Sequence, residues 1–110
     1  MNITFFNSKI KKYANNDRLA IKKLGTIRAK FFKQRLDDLS AASTLEDVRH
    51  LPGRFHELKS DRKGQWSCDL DQPCRLIFEP HENPIPTNED GQYLWIKILG
   101  VEIIEIVDYH

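Results

Sequence analysis

The stretch FHELKSDRKGQW places His56, Lys59, Arg62 and Lys63 within eight positions, and CRLIFEP adds Arg75 shortly after. The last three residues, Asp108, Tyr109 and His110, add a carboxylate, a phenol and a second imidazole. Brought together, these groups suit metal-free cleavage of an RNA phosphodiester, in which the neighbouring 2′-hydroxyl is the nucleophile. A base takes the hydroxyl proton, a cation meets the charge developing on the phosphoryl oxygens, and an acid protonates the 5′ leaving oxygen. Histidine fills either proton role because an unperturbed imidazole titrates near neutral pH. Arginine grips phosphate as a bidentate fork and lysine as a point charge. Tyrosine stacks on a splayed base.

Each group also has a plainer reading. A lone strand histidine is more often structural, and an arginine in an antiparallel sheet serves equally to pair a neighbouring acid. SDRKG reads as a charged turn, Trp66 and Tyr93 as packing residues, and a terminal DYH as a frayed end. Composition and spacing alone define a basic, polyanion-binding α+β domain and nothing sharper.

The elements that must position these groups follow from periodicity. ITFF, residues 3–6, has the β-branched and aromatic content of a short strand. Ser8 caps a short helix over Lys9 to Ala14, and Asn15, Asn16 and Asp17 break it. A second helix is expected from Arg18 to Leu39. Its apolar residues Leu19, Ile21, Leu24, Ile27, Phe31, Phe32, Leu36 and Leu39 recur mostly at steps of three or four, with Gly25 marking a kink or close contact. Thr44 to Asp47 resembles a capping box before Pro52-Gly53. Beyond Gly53 the period shortens. FHEL, GQWSCDL and CRLIFEP read as three antiparallel strands. HENPIPTNEDGQ, from His81 to Gln92, reads as a long exposed loop. A last strand from about Ile96 to Val107 is apolar on both faces at Ile103, Ile104, Ile106 and Val107. That doubling predicts a central strand covered on both sides, with Gly100 marking a bulge. The expected architecture is α+β, with the N-terminal helices on one face of a mostly antiparallel twisted sheet and the chemistry on the other.

At 110 residues the chain reads as one domain. The net charge of +1 conceals a gradient: residues 1–36 carry ten Lys or Arg and one acid, whereas residues 64–110 carry two bases and nine acids. A basic half of that density attracts polyanions; its plainer reading is a solvated helix face. No run approaches the ~20 apolar residues of a membrane span, and the N-terminus lacks the features of a secretory signal, so a cytoplasmic location is expected. Cys68 and Cys74 form no zinc-binding pattern, so no metal or other cofactor is expected. A disulfide across a hairpin is geometrically open, with buried free thiols as the alternative.

Taken together, LPGRFHELKSDRKGQWSCDLDQPCRLIFEP and VEIIEIVDYH resemble the toxins of bacterial type II toxin–antitoxin pairs. The resemblance is to the RelE/ParE superfamily and, within it, to the HigB-like plasmid-maintenance killer proteins. It rests on HxLKxDRKGQW, on the arginine-bearing strand RLIF and on the terminal EIVDYH. The helical half matches only in pattern and basicity. The resemblance implies a ribosome-dependent messenger RNA endonuclease. It also implies a helix-turn-helix antitoxin partner, with operator DNA bound only through the antitoxin complex. The family's cleavage positions fall on His56, Asp108, Tyr109 and His110, and its phosphate contacts on Lys59 and Arg75, with Arg62 and Lys63 beside them. Relatives commonly have glycine where Ser60 stands, and the shortest of them lack the proline-rich loop. Two other activities stay open: non-catalytic blocking of the ribosome or its assembly, and gyrase poisoning.

Overall fold

The structure, a computed structural model, describes residues 1–108. Five strands, β1 (Asn2–Phe5), β2 (His56–Glu57), β3 (Trp66–Asp69), β4 (Cys74–Pro80) and β5 (Gly100–Asp108), form one sheet in the order β1-β5-β4-β3-β2. The pairs β2–β3, β3–β4 and β4–β5 are antiparallel, and β1–β5 is parallel. The helices α1 (Ser8–Asn15), α2 (Asp17–Leu24) and α3 (Thr26–Ala41) precede β2. The mostly antiparallel sheet behind N-terminal helices is the architecture expected from the sequence.

Asn7 and Asn16 start α1 and α2 by accepting backbone N–H groups on their side-chain oxygens. The expected single helix over 18–39 is two helices. Gly25 has φ 87° and ψ 159°, a conformation closed to residues with a Cβ, and α2 ends there. The break resets the helical phase, so the expected apolar stripe is not continuous. α3 buries Ala29, Phe32, Arg35 and Leu39, while Ile21, Ile27 and Phe31 are exposed. Asp47 accepts a hydrogen bond from the Thr44 N–H and starts a 3-10 turn over Leu45–His50.

The core fills the space between the helices and one sheet face. Phe32, Leu39, Leu45, Val48, Trp66, Leu76, Phe78 and Ile103 are among its buried side chains, each large one worth on the order of 2–3 kcal/mol. Both cysteines are free thiols inside it, not a disulfide. Burial pushes both thiols above their ordinary pKa, which makes them poor nucleophiles.

β5 departs from expectation in an instructive way. It begins at Gly100, not near Ile96, because Trp95–Lys97 forms a 3-10 turn. It lies between β1 and β4, but its second face is not covered: Ile104 and Val107 are only half-buried. Ile77 pairs with Glu105 and Phe78 with Ile103, so Ile104 is an extra residue in a bulge. The bulge is there and not at Gly100, which is packed against the His81 ring. It also explains the doubled isoleucines. One extra residue shifts the alternation, so Ile103 and Ile106 both face the core while Glu105 and Val107 face away.

Arg28 of α3 donates two hydrogen bonds to Asp71 in the β3–β4 turn, at 2.8 and 3.3 Å, and so ties the helices to that end of the sheet. The hydrogen bond from Arg28 holds the Asp71 carboxyl below the usual carboxylate range. A depressed folded-state pKa stabilises above the unfolded value, near ~3.9, and that stability is lost as pH falls through the folded value. Asp71→Asn is therefore expected to cost about 0.5–1 kcal/mol at pH 7. The deficit relative to wild type should shrink as pH falls through the folded-state value of Asp71, as measured by urea unfolding at pH 7 and across an acid series.

Candidate functional site

The face of the sheet away from the helices is built in rows. His56 of β2 aligns with Ser67 of β3, Ser67 with Ile77 of β4, and Ile77 with Glu105 of β5. In the next row Asp69 aligns with Arg75 and Arg75 with Val107. His56 and Arg75 thus share this face, two strands and one row apart, or about 12 Å between Cα atoms from strand spacing and rise.

The imidazole of His56 is fixed from both ends. Nδ1 lies 2.6 Å from the Arg54 carbonyl oxygen, an acceptor only, so Nδ1 carries a proton and donates. In the neutral ring Nε2 is then the acceptor; it lies 3.4 Å from the Ser67 hydroxyl. Arg54 holds its carbonyl in place with a left-handed backbone, φ 52°. Gly53 beside it has φ 110°, and a Cβ there would fall 2.5 Å from Nε of Arg35. Arg35 reaches from α3 under this turn and donates to the Asp69 carbonyl at 2.8 Å, while the Asp69 N–H donates to the Gly53 carbonyl at 2.7 Å. A buried arginine on a helix thereby sets the turn that orients His56.

Asp69 is buried, with Arg75 Nε at 3.6 Å and Arg54 Nη1 at 3.7 Å from its carboxylate oxygens. Arg62 donates to Glu105 at 2.6 Å and to Gln65 at 2.9 Å. To reach Glu105 it crosses β4 at the level of Ile77, which is fully buried although it lies on the helix-free face.

The eight positions singled out in the sequence fall into separate groups. His56, Arg62 and Arg75 share the helix-free face. Lys59 and Lys63 line a different hollow beside β2, together with Glu57, Tyr93 and Trp95. Asp108 pairs with Cys74, a core residue, and therefore sits on the helix side of β5, where its charge helps raise the pKa of Arg28. Tyr109 and His110 lie outside the described residues. Arg54, Ser67, Asp69, Glu105 and Arg35 were not anticipated as parts of this site. Strand alternation in WSCD could have found Ser67 and Asp69, since Trp66 and Cys68 take the alternate, core-facing positions.

The sequence matches no protein-family model and no curated protein. Solved structures do match. The YoeB–YefM complex from Staphylococcus aureus is similar with a TM-score of 0.57 and 17% identity, covering 100% of this chain and 97% of that one. The YoeB dimer from Staphylococcus aureus is similar with a TM-score of 0.51 and 20% identity, again over 100% and 97% of the two chains. The chain shares the fold of these two structures.

Proposed function

We propose that the chain is the toxin of a toxin–antitoxin pair and an endoribonuclease that cuts messenger RNA on the ribosome, as its HigB-like motifs imply. The observation that carries this reading is the His56 imidazole, fixed with Nε2 as an acceptor on the same face as the Arg75 guanidinium. His56 takes the proton of the 2′-hydroxyl as that oxygen attacks phosphorus. Arg75 neutralises charge on the non-bridging oxygens. His110 supplies the proton as the P–O5′ bond breaks, leaving a 2′,3′-cyclic phosphate and a 5′-hydroxyl. Tyr109 stacks on the substrate. Asp108, on the helix side with Arg28, anchors the end of β5 from which Tyr109 and His110 continue. The reaction needs no metal or other cofactor.

The fold shared with a toxin solved in complex with YefM supports an antitoxin partner. We assign this partner to the helix-turn-helix class and a contact with operator DNA to the complex alone. No helix among the described residues is long and apolar enough to cross a membrane, and a cytoplasmic location fits the proposed ribosomal target. The basic residues of 1–36 would contact ribosomal RNA, giving an association that weakens steeply with salt.

A second reading, blocking of the ribosome without cleavage, is favoured by the acids on the same face: Glu79, Glu102 and Glu105 repel a phosphate backbone. One experiment separates the two. After brief expression, RNA 5′ ends are mapped for the full chain and for a chain lacking residues 108–110. New 5′-hydroxyl ends within coding regions, lost on truncation, are expected. Intact transcripts beside stalled ribosomes would instead establish blocking.

A further inference from the structure

Beside β2, on the side opposite His56, lies a hollow of about 600 Å³. Its outer wall includes the end of the long exposed loop expected from the sequence, and that loop is held by internal contacts. Thr87 bridges to Tyr93, and the Leu94 N–H donates to the Pro86 carbonyl at 2.8 Å. The Asn88 side-chain oxygen accepts from the N–H groups of Asp90 and Gln92 at 2.9 and 3.0 Å. The result is a small hairpin that presents Tyr93 to the hollow, with its ring braced edge-on against Trp95 at 5.1 Å.

Two cations face that aromatic wall. Lys63 Nζ lies 5.6 Å from the centroid of the Tyr93 ring, and Lys59 stands exposed on the same rim. Neither ammonium takes part in a salt bridge among the described residues, in contrast to Arg49 in the same wall, which is committed to Glu46, Glu57 and the Trp66 ring. A braced tyrosine with uncommitted lysines is the arrangement by which proteins hold single-stranded nucleotides: the ring takes the base and the ammonium groups take the phosphates. Stacking of a base on an aromatic ring is stronger than an exposed cation–π contact. An incoming base therefore displaces Lys63 from the ring, and the lysine becomes available to the phosphate.

We infer that this hollow is a subsite for a nucleotide flanking the cleaved bond, with its base stacked on Tyr93 and its phosphates at Lys59 and Lys63. The inference rests on the nuclease reading above and deepens it. Lys59 follows His56 by three residues, about 10 Å of extended chain. An RNA strand with its scissile phosphate at His56 and Arg75 passes over the short edge strand β2 and enters the hollow. The hairpin over 86–94 thus becomes the element that sets sequence preference around the cut.

The test is cleavage of a reporter messenger RNA in a translating extract, read as rate and as base composition beside each cut. Tyr93→Ala is expected to slow cleavage about 5- to 100-fold and to flatten the preference for the flanking base. Tyr93→Phe, which keeps the stacking ring, should leave both within about twofold. Lys59→Ala changes an exposed side chain outside the core. It should slow cleavage and make it less salt-dependent, with a log–log slope smaller by about 0.7. If the wild-type chain cuts and Tyr93→Ala and Lys59→Ala match it in rate and preference, the subsite is refuted and the nuclease stands. If the wild-type chain cuts nothing, both fall.

Discussion

His56→Ala is expected to slow RNA cleavage by about 10²–10⁴-fold, the range for removing a positioned general base, while leaving the fold intact. The size follows from how the ring is held. Its Nδ1 proton is directed to the Arg54 carbonyl, so the neutral ring presents one nitrogen, Nε2, as a proton acceptor at a defined place on the sheet. The side chain is only half-buried and lies outside the core cluster, so truncation opens no core cavity, and a stability loss within about 1 kcal/mol is expected. His56→Gln sharpens the test. Its amide can still donate to the Arg54 carbonyl but has no basic nitrogen. Cleavage by the glutamine variant should be as slow as by the alanine variant. Near-wild-type cleavage by His56→Gln would mean that the ring matters for packing and hydrogen bonding, and the base would have to be sought elsewhere. Single-turnover cleavage on isolated ribosomes programmed with a defined message gives the rates directly.

Much of this arrangement was legible in the sequence because local patterns carried it. The change from a period near 3.6 to a period near 2 after Gly53 separated the helices from the sheet. The alternation in CRLIFEP put Arg75 on the face opposite Leu76 and Phe78. What stayed hidden depended on events that shift phase. Gly25 ends one helix and starts another, so an apparent single stripe left Ile27 66% exposed and brought Arg35 into the interior at 8%. Arg35 therefore looked like one more surface base, although it props the turn that orients His56. The bulge at Ile104 did the same for β5. It imitated a strand buried on both faces and hid the fact that Asp108 comes out on the helix side. The separation of Lys59 and Lys63 from Arg75 has a different cause. β2 is two residues long, and the chain beyond it turns through Ser60, which has a left-handed φ of 58°. Three residues of sequence distance from His56 were thus enough to carry Lys59 off the helix-free face.

Arg75→Ala is expected to reduce cleavage by about 10²–10³-fold, the effect of losing one donor to charge that develops in the transition state. Arg75→Lys should recover little of it, because a single ammonium cannot reproduce the two-pronged geometry of guanidinium on phosphate. The interpretation depends on separating catalysis from structure, since Arg75 Nε also lies 3.6 Å from the buried carboxylate of Asp69. Removing the arginine leaves that carboxylate with Arg54 at 3.7 Å and with the Gln72 amide, which donates at 3.3 Å. Loss of a partner from a buried charge costs on the order of 1–3 kcal/mol, so the single variant should also unfold more readily. Asp69→Asn in the same chain removes the stranded charge. If Arg75 acts on the phosphate, the double variant regains much of the lost stability in urea unfolding and remains as slow in cleavage as Arg75→Ala. If Arg75 serves only to neutralise Asp69, stability and cleavage return together, and the phosphate contact on this face passes to Arg54, whose guanidinium is the more exposed of the two, at 65% against 26%.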